Sequence, residues 1–166
     1  MKAALDTNCF IDAVQPFSHS YNAMAKVLEA HALHIVDIFV SLHTLHELEE
    51  KPDAALDLAR HFPTLAYFPI GRIQDQVGTI SEISGTFDNM RQNESIQIEL
   101  ASMANAGTDI RDRGALIDAL HASLDLFVTS DSQLVAAGPA ARIRERFCMR
   151  IIRPGEAAQM LRKGSS

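Results

Sequence analysis

Short apolar runs of strand length recur along the chain, each bounded by polar residues. The runs cover residues 3–5, 34–40, 65–70, 126–129 and 148–152. All but the first are rich in branched or aromatic side chains, which favour strands. Between the runs, apolar residues recur with helical spacing, as Tyr21, Met24, Ala25 and Leu28 do. Strands that alternate with helices predict a parallel sheet with helices on both faces.

Capping residues and prolines indicate where several helices begin. Ser41 is predicted to cap a helix that starts at Leu42, and Pro52 suits the first turn of a helix over residues 52–60. Further helices are predicted over residues 112–124 and 154–161.

Residues 71–111 do not follow the alternation of strands and helices. They contain four glycines, and the clearest helical spacing lies over residues 93–104. The pattern as a whole predicts a three-layer α/β/α fold with a central parallel sheet of four to five strands and a helical insert over residues 71–111. The length of 166 residues predicts a single domain over residues 1–166.

The composition is that of an ordinary globular protein, with 47% hydrophobic and 22% charged residues. No apolar run approaches the roughly 18 residues that a membrane span needs, and the N-terminus lacks the pattern of a signal peptide. Two cysteines, Cys9 and Cys148, provide neither a disulfide framework nor a zinc motif. We therefore expect a soluble, cytoplasmic protein without a membrane partner.

Charge is unevenly distributed along the chain. Residues 1–110 hold 6 Lys/Arg and 15 Asp/Glu, a net charge of −9, whereas residues 111–166 hold 9 and 6, a net charge of +3. The total of −6 argues against a general nucleic-acid coat protein. A cluster of five arginines is either a solvated face or a local phosphate-binding patch. The cluster comprises Arg142, Arg144, Arg146, Arg150 and Arg153.

Acidic residues mark the ends of two predicted strands and the start of one predicted helix. Asp6 directly follows the first strand, and Asp131 lies just past the fourth. Open parallel sheets bind their ligands at the carboxyl ends of the strands. A helix that leads into a parallel strand begins at that same edge, so Asp112, at the start of its helix, is expected there as well.

Asp118 and Asp109 are the alternatives to Asp112. Asp118 lies six residues further along the helix, which moves it about 9 Å along the axis and about 240° around it. It should therefore point elsewhere if Asp112 faces the site. Asp109 would replace Asp112 if the helix began one turn earlier. We favour Asp112.

Three segments resemble motifs of the PIN-domain family: LDTN at residues 5–8, VSLHTLHEL at 40–48 and DLFVTSDSQL at 125–134. The family's pattern is an Asp in D-T-N, a Glu in S-x-x-T-x-x-E-L, an Asp that opens a late helix and T-x-D after the next strand. Position by position, the resemblance implies the acids Asp6, Glu47, Asp112 and Asp131, with Asn8 and Thr129 as polar companions. It extends from residue 1 to about residue 160, except for the insert. The family's spacing of some seventeen residues between the late-helix Asp and T-x-D fits Asp112 and not Asp118.

The resemblance implies a PIN-like fold and metal-dependent ribonuclease activity. Carboxylates crowded at one edge repel each other unless a cation neutralises them. Oxygen ligands without a partnering His or Cys favour Mg²⁺ or Mn²⁺ over zinc, and such an ion can activate a water for attack on a phosphodiester. We expect an endoribonuclease that leaves 5′-phosphate and 3′-hydroxyl ends. Its metal ligands and catalytic acids would be Asp6, Glu47, Asp112 and Asp131, with Asn8 and Thr129 beside them.

The resemblance also suggests partners. Small single-domain PIN proteins are often the toxin of a bacterial toxin–antitoxin pair, which implies an antitoxin protein that binds the chain, and often a homodimer. This chain is larger than the usual compact toxin, so a stand-alone RNA-processing nuclease is the other variant.

Three alternatives compete with the ribonuclease. A haloacid-dehalogenase-type phosphatase also has an Asp after its first strand, but it needs a second Asp where this chain has Asn8. A non-catalytic PIN-like scaffold would bind RNA or protein without needing four acids. A zinc site at His43 and His46 is disfavoured because Glu50 stands where H-E-x-x-H requires a histidine.

Cys9 is interpreted as a packed side chain rather than a nucleophile.

Overall fold

The computed structural model describes residues 1–51, 53–65, 96, 98 and 113–163. Within these residues, five strands form a single sheet in which every pair of neighbouring strands is parallel. The strands are β1 (Lys2–Leu5), β2 (Asp37–Ser41), β3 (Thr64–Leu65), β4 (Leu126–Val128) and β5 (Arg150–Ile152). Their spatial order is β3-β2-β1-β4-β5, which places β1 at the centre.

Seven helices accompany the strands in the described part of the chain. They are α1 (Thr7–Val14), α2 (Tyr21–Ala32), α3 (Leu42–Leu48), α4 (Asp53–Ala59), α5 (Arg113–His121), α6 (Ala137–Phe147) and α7 (Pro154–Lys163). The predicted α/β class with a helix-flanked parallel sheet is thereby confirmed. None of the described helices is long and apolar enough to cross a membrane.

Alternate residues of the strands point into two separate cores, as strand geometry requires. Leu5 of β1 belongs to the core shared with α1, α2, α4 and α7, whereas its neighbour Ala4 belongs to the core beneath α5 and α6. In β4, Val128 and Phe127 divide between the two cores in the same way. Burial on both faces explains why these strands read as continuous apolar runs.

Most of the predicted elements are found with shifts of a few residues at their ends, whereas the strand predicted over residues 65–70 lies outside the described residues beyond Leu65. The run at residues 34–40 becomes a strand only at Asp37, and the predicted helix over residues 52–60 is α4. The insert predicted over residues 71–111 lies outside the described residues except for Ile96 and Ile98. Both of these residues are helical, and Ile96 is fully buried in the core beneath α5 and α6.

Two helices were not predicted. The first, α1, begins immediately after β1 and is capped by the side chain of Asp6. The second, α6, contains Gly138 and Pro139, which disfavour helix in general. Proline is tolerated within the first turn, however, because the first N–H groups of a helix have no intrahelical acceptor.

Candidate functional site

The sheet order creates a switch point between β1 and β4. The chain runs outward from β1 through β2 to β3 and then returns to continue on the other side with β4 and β5. Side chains that follow β1 and β4 therefore flank the crevice where open parallel sheets bind ligands. These side chains are Asp6, which the strand pattern placed at this edge, and Thr129, which the resemblance implied as a polar companion.

Asp6 is a buried carboxylate, with 6% of its surface exposed. Its backbone N–H donates to the carbonyl of Val128 across the two strand ends, over 3.0 Å. Oδ1 accepts a hydrogen bond from the backbone N–H of Thr7 at 2.8 Å, which caps α1. Oδ2 accepts a hydrogen bond from the Thr129 hydroxyl at 2.6 Å. The Asp6 carboxylate is thus held by the backbone of Thr7 through one oxygen and by the side chain of Thr129, the residue after β4, through the other.

Thr129 connects Asp6 with Asp131. The fully buried Thr129 hydroxyl donates to Asp6 and accepts from the backbone N–H of Asp131 at 3.0 Å. The half-buried Asp131 carboxylate accepts from the backbone N–H of Gln133 at 2.7 Å, which fixes the turn after β4. The threonine of T-x-D therefore binds the carboxylate of Asp6 and the backbone of Asp131.

Glu47 reaches the same edge from α3. Its Oε2 accepts a hydrogen bond from the hydroxyl of Thr7, the first residue of α1. Since Thr7 also donates its backbone N–H to Asp6, one residue joins the two carboxylates. Sequence reasoning did not identify Thr7, although its place between Asp6 and Asn8 in D-T-N was the available signal.

The remaining predicted residues differ in their placement. Asn8 is exposed as the second residue of α1. Asp112, like its alternative Asp109, lies outside the described residues. The structure therefore brings together Asp6, Thr129 and Asp131 through one hydroxyl, and Glu47 with Asp6 through Thr7, while the fourth acid stays a prediction.

Asp118 occupies a second polar cluster at the end of β2. It lies on α5, is 5% exposed and accepts a hydrogen bond from the Ser41 hydroxyl. Ser41 in turn accepts from the backbone N–H of His43 at 3.0 Å, which confirms it as the cap of α3. The ring of His43 lies so close to Gly114 that a Cβ there would come within 2.4 Å of it. A side chain at Gly114 would thus disturb the contact between α3 and α5.

Burial shifts the titration of this second cluster. Desolvation raises the pKa of Asp118, while the Ser41 hydrogen bond and the charges of His43 and His121 act in the opposite direction. Burial also lowers the pKa of His121, against the influence of Asp118. Ionisation of the Asp118 carboxyl group is therefore less favourable in the folded protein than in water.

We expect Asp118→Asn to change how stability depends on pH. Because the pKa of Asp118 is raised on folding, its contribution favours the folded state below the ordinary value of 3.8 and is lost as the pH rises through the raised value. Asparagine does not titrate and still accepts from Ser41. The variant should therefore gain stability relative to the wild type between acidic and neutral pH, measured by urea unfolding. Asp37→Asn, at an exposed carboxylate, is the control, and parallel pH profiles for Asp118→Asn and the wild type would contradict the expectation.

Cys9 is excluded as an ionised nucleophile by its surroundings. Its thiol is fully buried and donates to the carbonyl of Val128 at 3.2 Å. Burial, followed by the charges of Asp6 and Asp12, raises its pKa well above the ordinary value. The interpretation as a packed side chain agrees with this environment.

The donor set at the switch point matches a hard cation in chemistry, since Asp6, Glu47 and Asp131 offer only oxygen atoms. Among the residues that the structure describes, no three Asp, Glu, His or Cys side chains are grouped closely enough to hold a metal ion. In comparisons with known proteins, neither a family model nor a curated protein matches this chain.

Proposed function

We propose that the chain is a PIN-like endoribonuclease that depends on Mg²⁺ or Mn²⁺. The observation that supports this most is the hydrogen bond between Asp6 and Thr129 at the switch point of an all-parallel sheet. It joins the D-T-N and T-x-D segments, which are 123 residues apart in sequence. The contact from Thr7 to Glu47 adds the third motif to the same edge.

The residues that would hold the cation are Asp6, Glu47, Asp131 and Asp112. A bound cation would supply an activated water and would stabilise negative charge on the attacked phosphate. The chain's own contribution is to orient the acids. Thr129 fixes Asp6, Thr7 joins Asp6 to Glu47, and the turn at residues 129–133 fixes Asp131.

The proposal includes the two biological settings that the resemblance suggests. In a toxin–antitoxin pair, the chain would be the toxin, act in the cytoplasm, bind an antitoxin protein and form a homodimer. As an RNA-processing enzyme, it would act without an antitoxin. Growth arrest on expression, relieved by a neighbouring gene product, would distinguish the first setting from the second.

The direct test is the cleavage of RNA and the chemistry of the product ends. We expect Mn²⁺ or Mg²⁺ to support cleavage, EDTA to abolish it, and the products to carry 5′-phosphate and 3′-hydroxyl groups. Products with 2′,3′-cyclic phosphate would contradict the mechanism, because they arise from attack by the RNA's own 2′-hydroxyl. RNA binding without cleavage under any divalent cation would favour the non-catalytic scaffold.

A further inference from the structure

A groove of about 490 Å³ lies beside the acidic site, at the same edge of the sheet. Six of the residues that line it are His19, Ser20, Ser130, Arg153, Glu156 and Gln159. Arg153 directly follows β5, and Ser130 stands between Thr129 and Asp131. The groove is therefore adjacent to the candidate catalytic residues Thr129 and Asp131, which flank its lining residue Ser130 in the chain.

Arg153 gives the groove its permanent positive charge. Of the five clustered arginines, all of which are exposed, it is the one that lines the groove. A guanidinium matches the geometry of a phosphate and stays charged at any physiological pH. His19 and Ser130 add polar groups to the lining, which also includes the carboxylate of Glu156.

Two helices begin at the groove. α2 starts at Tyr21, next to the lining residue Ser20, and α7 starts at the lining residue Pro154. The Ser20 side chain makes no capping hydrogen bond to α2, although the backbone N–H of Tyr21 donates to the carbonyl of Ser18 at 3.2 Å. The positive ends of both helix dipoles thus favour an anion in the groove, in addition to Arg153.

Asp12 holds the two loops of the groove in place. Its Oδ1 accepts from the hydroxyl of Ser18 at 2.5 Å, and its Oδ2 accepts from the hydroxyl of Ser130 at 3.0 Å. Asp12 lies on α1, the helix that Asp6 caps. The groove and the acidic site are therefore built on the same helix and keep a fixed relation to each other.

Phe17 precedes the groove residues His19 and Ser20 in the chain, and its side chain is fully exposed. It is two residues from His19, so the two Cα atoms are at most about 7 Å apart. The loop that carries it is ordered by hydrogen bonds of Ser18 to Gln15 and Asp12. An aromatic ring presented to solvent on an ordered loop is a platform on which an unstacked base can lie.

We propose that the groove binds a backbone phosphate of single-stranded RNA and that Phe17 stacks on a neighbouring base. This inference rests on the proposed ribonuclease function and assigns the path of the strand next to the cleaved phosphate. A duplex does not fit the role of Phe17, because its bases are already stacked on each other. Arg153, His19 and Ser130 then contact the strand, and Asp12 acts as a positioning residue.

The experiment measures the dissociation constant of a fluorescein-labelled oligouridylate by anisotropy, in EDTA so that no strand is cut. Arg153→Gln should weaken binding about tenfold and reduce the slope of log K against log salt by about 0.7, since one phosphate contact is lost. Phe17→Ala should weaken binding about tenfold at unchanged salt slope, because stacking involves no counterion. Glu156→Gln should tighten binding, because it removes a negative charge from the lining of the groove.

Two controls match these changes. Arg144→Gln removes an exposed charge on α6 outside the groove, and Leu33→Ala removes an exposed apolar side chain far from it along the chain. If these controls weaken binding as much as Arg153→Gln and Phe17→Ala do, or if the groove variants bind like the wild type, the inference is wrong. Cleavage by the wild type with Mn²⁺ is measured in parallel. If the wild type cleaves RNA and the groove variants bind RNA as tightly as it does, this inference alone is wrong. If the groove variants bind RNA more weakly but the wild type does not cleave it, the proposed function alone is wrong.

Discussion

Asp6→Asn is expected to reduce Mn²⁺-dependent RNA cleavage by at least about a hundredfold, or about 2.7 kcal/mol of activation free energy. The substitution removes the charge of the carboxylate at the centre of the switch point and replaces the oxygen that accepts from the Thr129 hydroxyl with an amide NH2 group, which donates. Asparagine caps helices as well as aspartate does, so its side chain can still accept from Thr7 and start α1. We therefore expect α1 to keep its cap, while the lost hydrogen bond from Thr129 should cost about 1–3 kcal/mol of unfolding free energy.

The measurement for Asp6→Asn is the initial rate of cleavage, with unfolding followed in parallel. Asp57→Asn on α4 serves as the control, since it removes an exposed carboxylate whose ion pair with Arg60 is also exposed. It should cleave RNA at the rate of the wild type. A folded Asp6→Asn variant that keeps the wild-type rate would refute a catalytic role for this edge of the sheet.

The contact between Asp6 and Thr129 shows what sequence reasoning can predict. Both residues follow apolar runs, and the carboxyl ends of parallel strands meet at one edge whatever their separation along the chain. Predicting that the two strand ends meet therefore required only that the runs be recognised as parallel strands, whereas Thr129 as a companion of Asp6 was implied by the resemblance to PIN domains. The cap at Ser41 was equally predictable, because a cap depends on its own helix and not on distant residues.

Other features depend on contacts that no local pattern contains. Ser41 also donates to Asp118, 77 residues away, and this second partner follows from how α5 packs over β2. Thr7 contacts Glu47 across 40 residues, which requires the direction in which α3 leaves the sheet. The arginine cluster illustrates the same limit, since only the positions of β5 and α7 distinguish Arg153 from Arg144.

Thr129→Val is expected to impair both stability and cleavage, because the buried hydroxyl serves two partners at once. Without it, the Oδ2 of Asp6 loses a hydrogen-bond donor, and the N–H of Asp131 loses its acceptor. Leaving buried or half-buried polar groups unpaired costs about 1–3 kcal/mol of unfolding free energy. Cleavage should fall about 10–100-fold, as is usual when a residue that orients metal ligands is removed.

Thr129→Ser separates the role of the hydroxyl from the role of packing. Serine keeps the hydrogen bonds to Asp6 and Asp131 but leaves a gap where the fully buried methyl group was. It should lose about 1 kcal/mol of unfolding free energy and retain most of the cleavage rate. Slow cleavage in the serine variant with wild-type cleavage in the valine variant would mean that Thr129 contributes by packing alone. The opposite result, slow cleavage only in the valine variant, requires that the hydroxyl position the acids, because valine fills the space as well as threonine does.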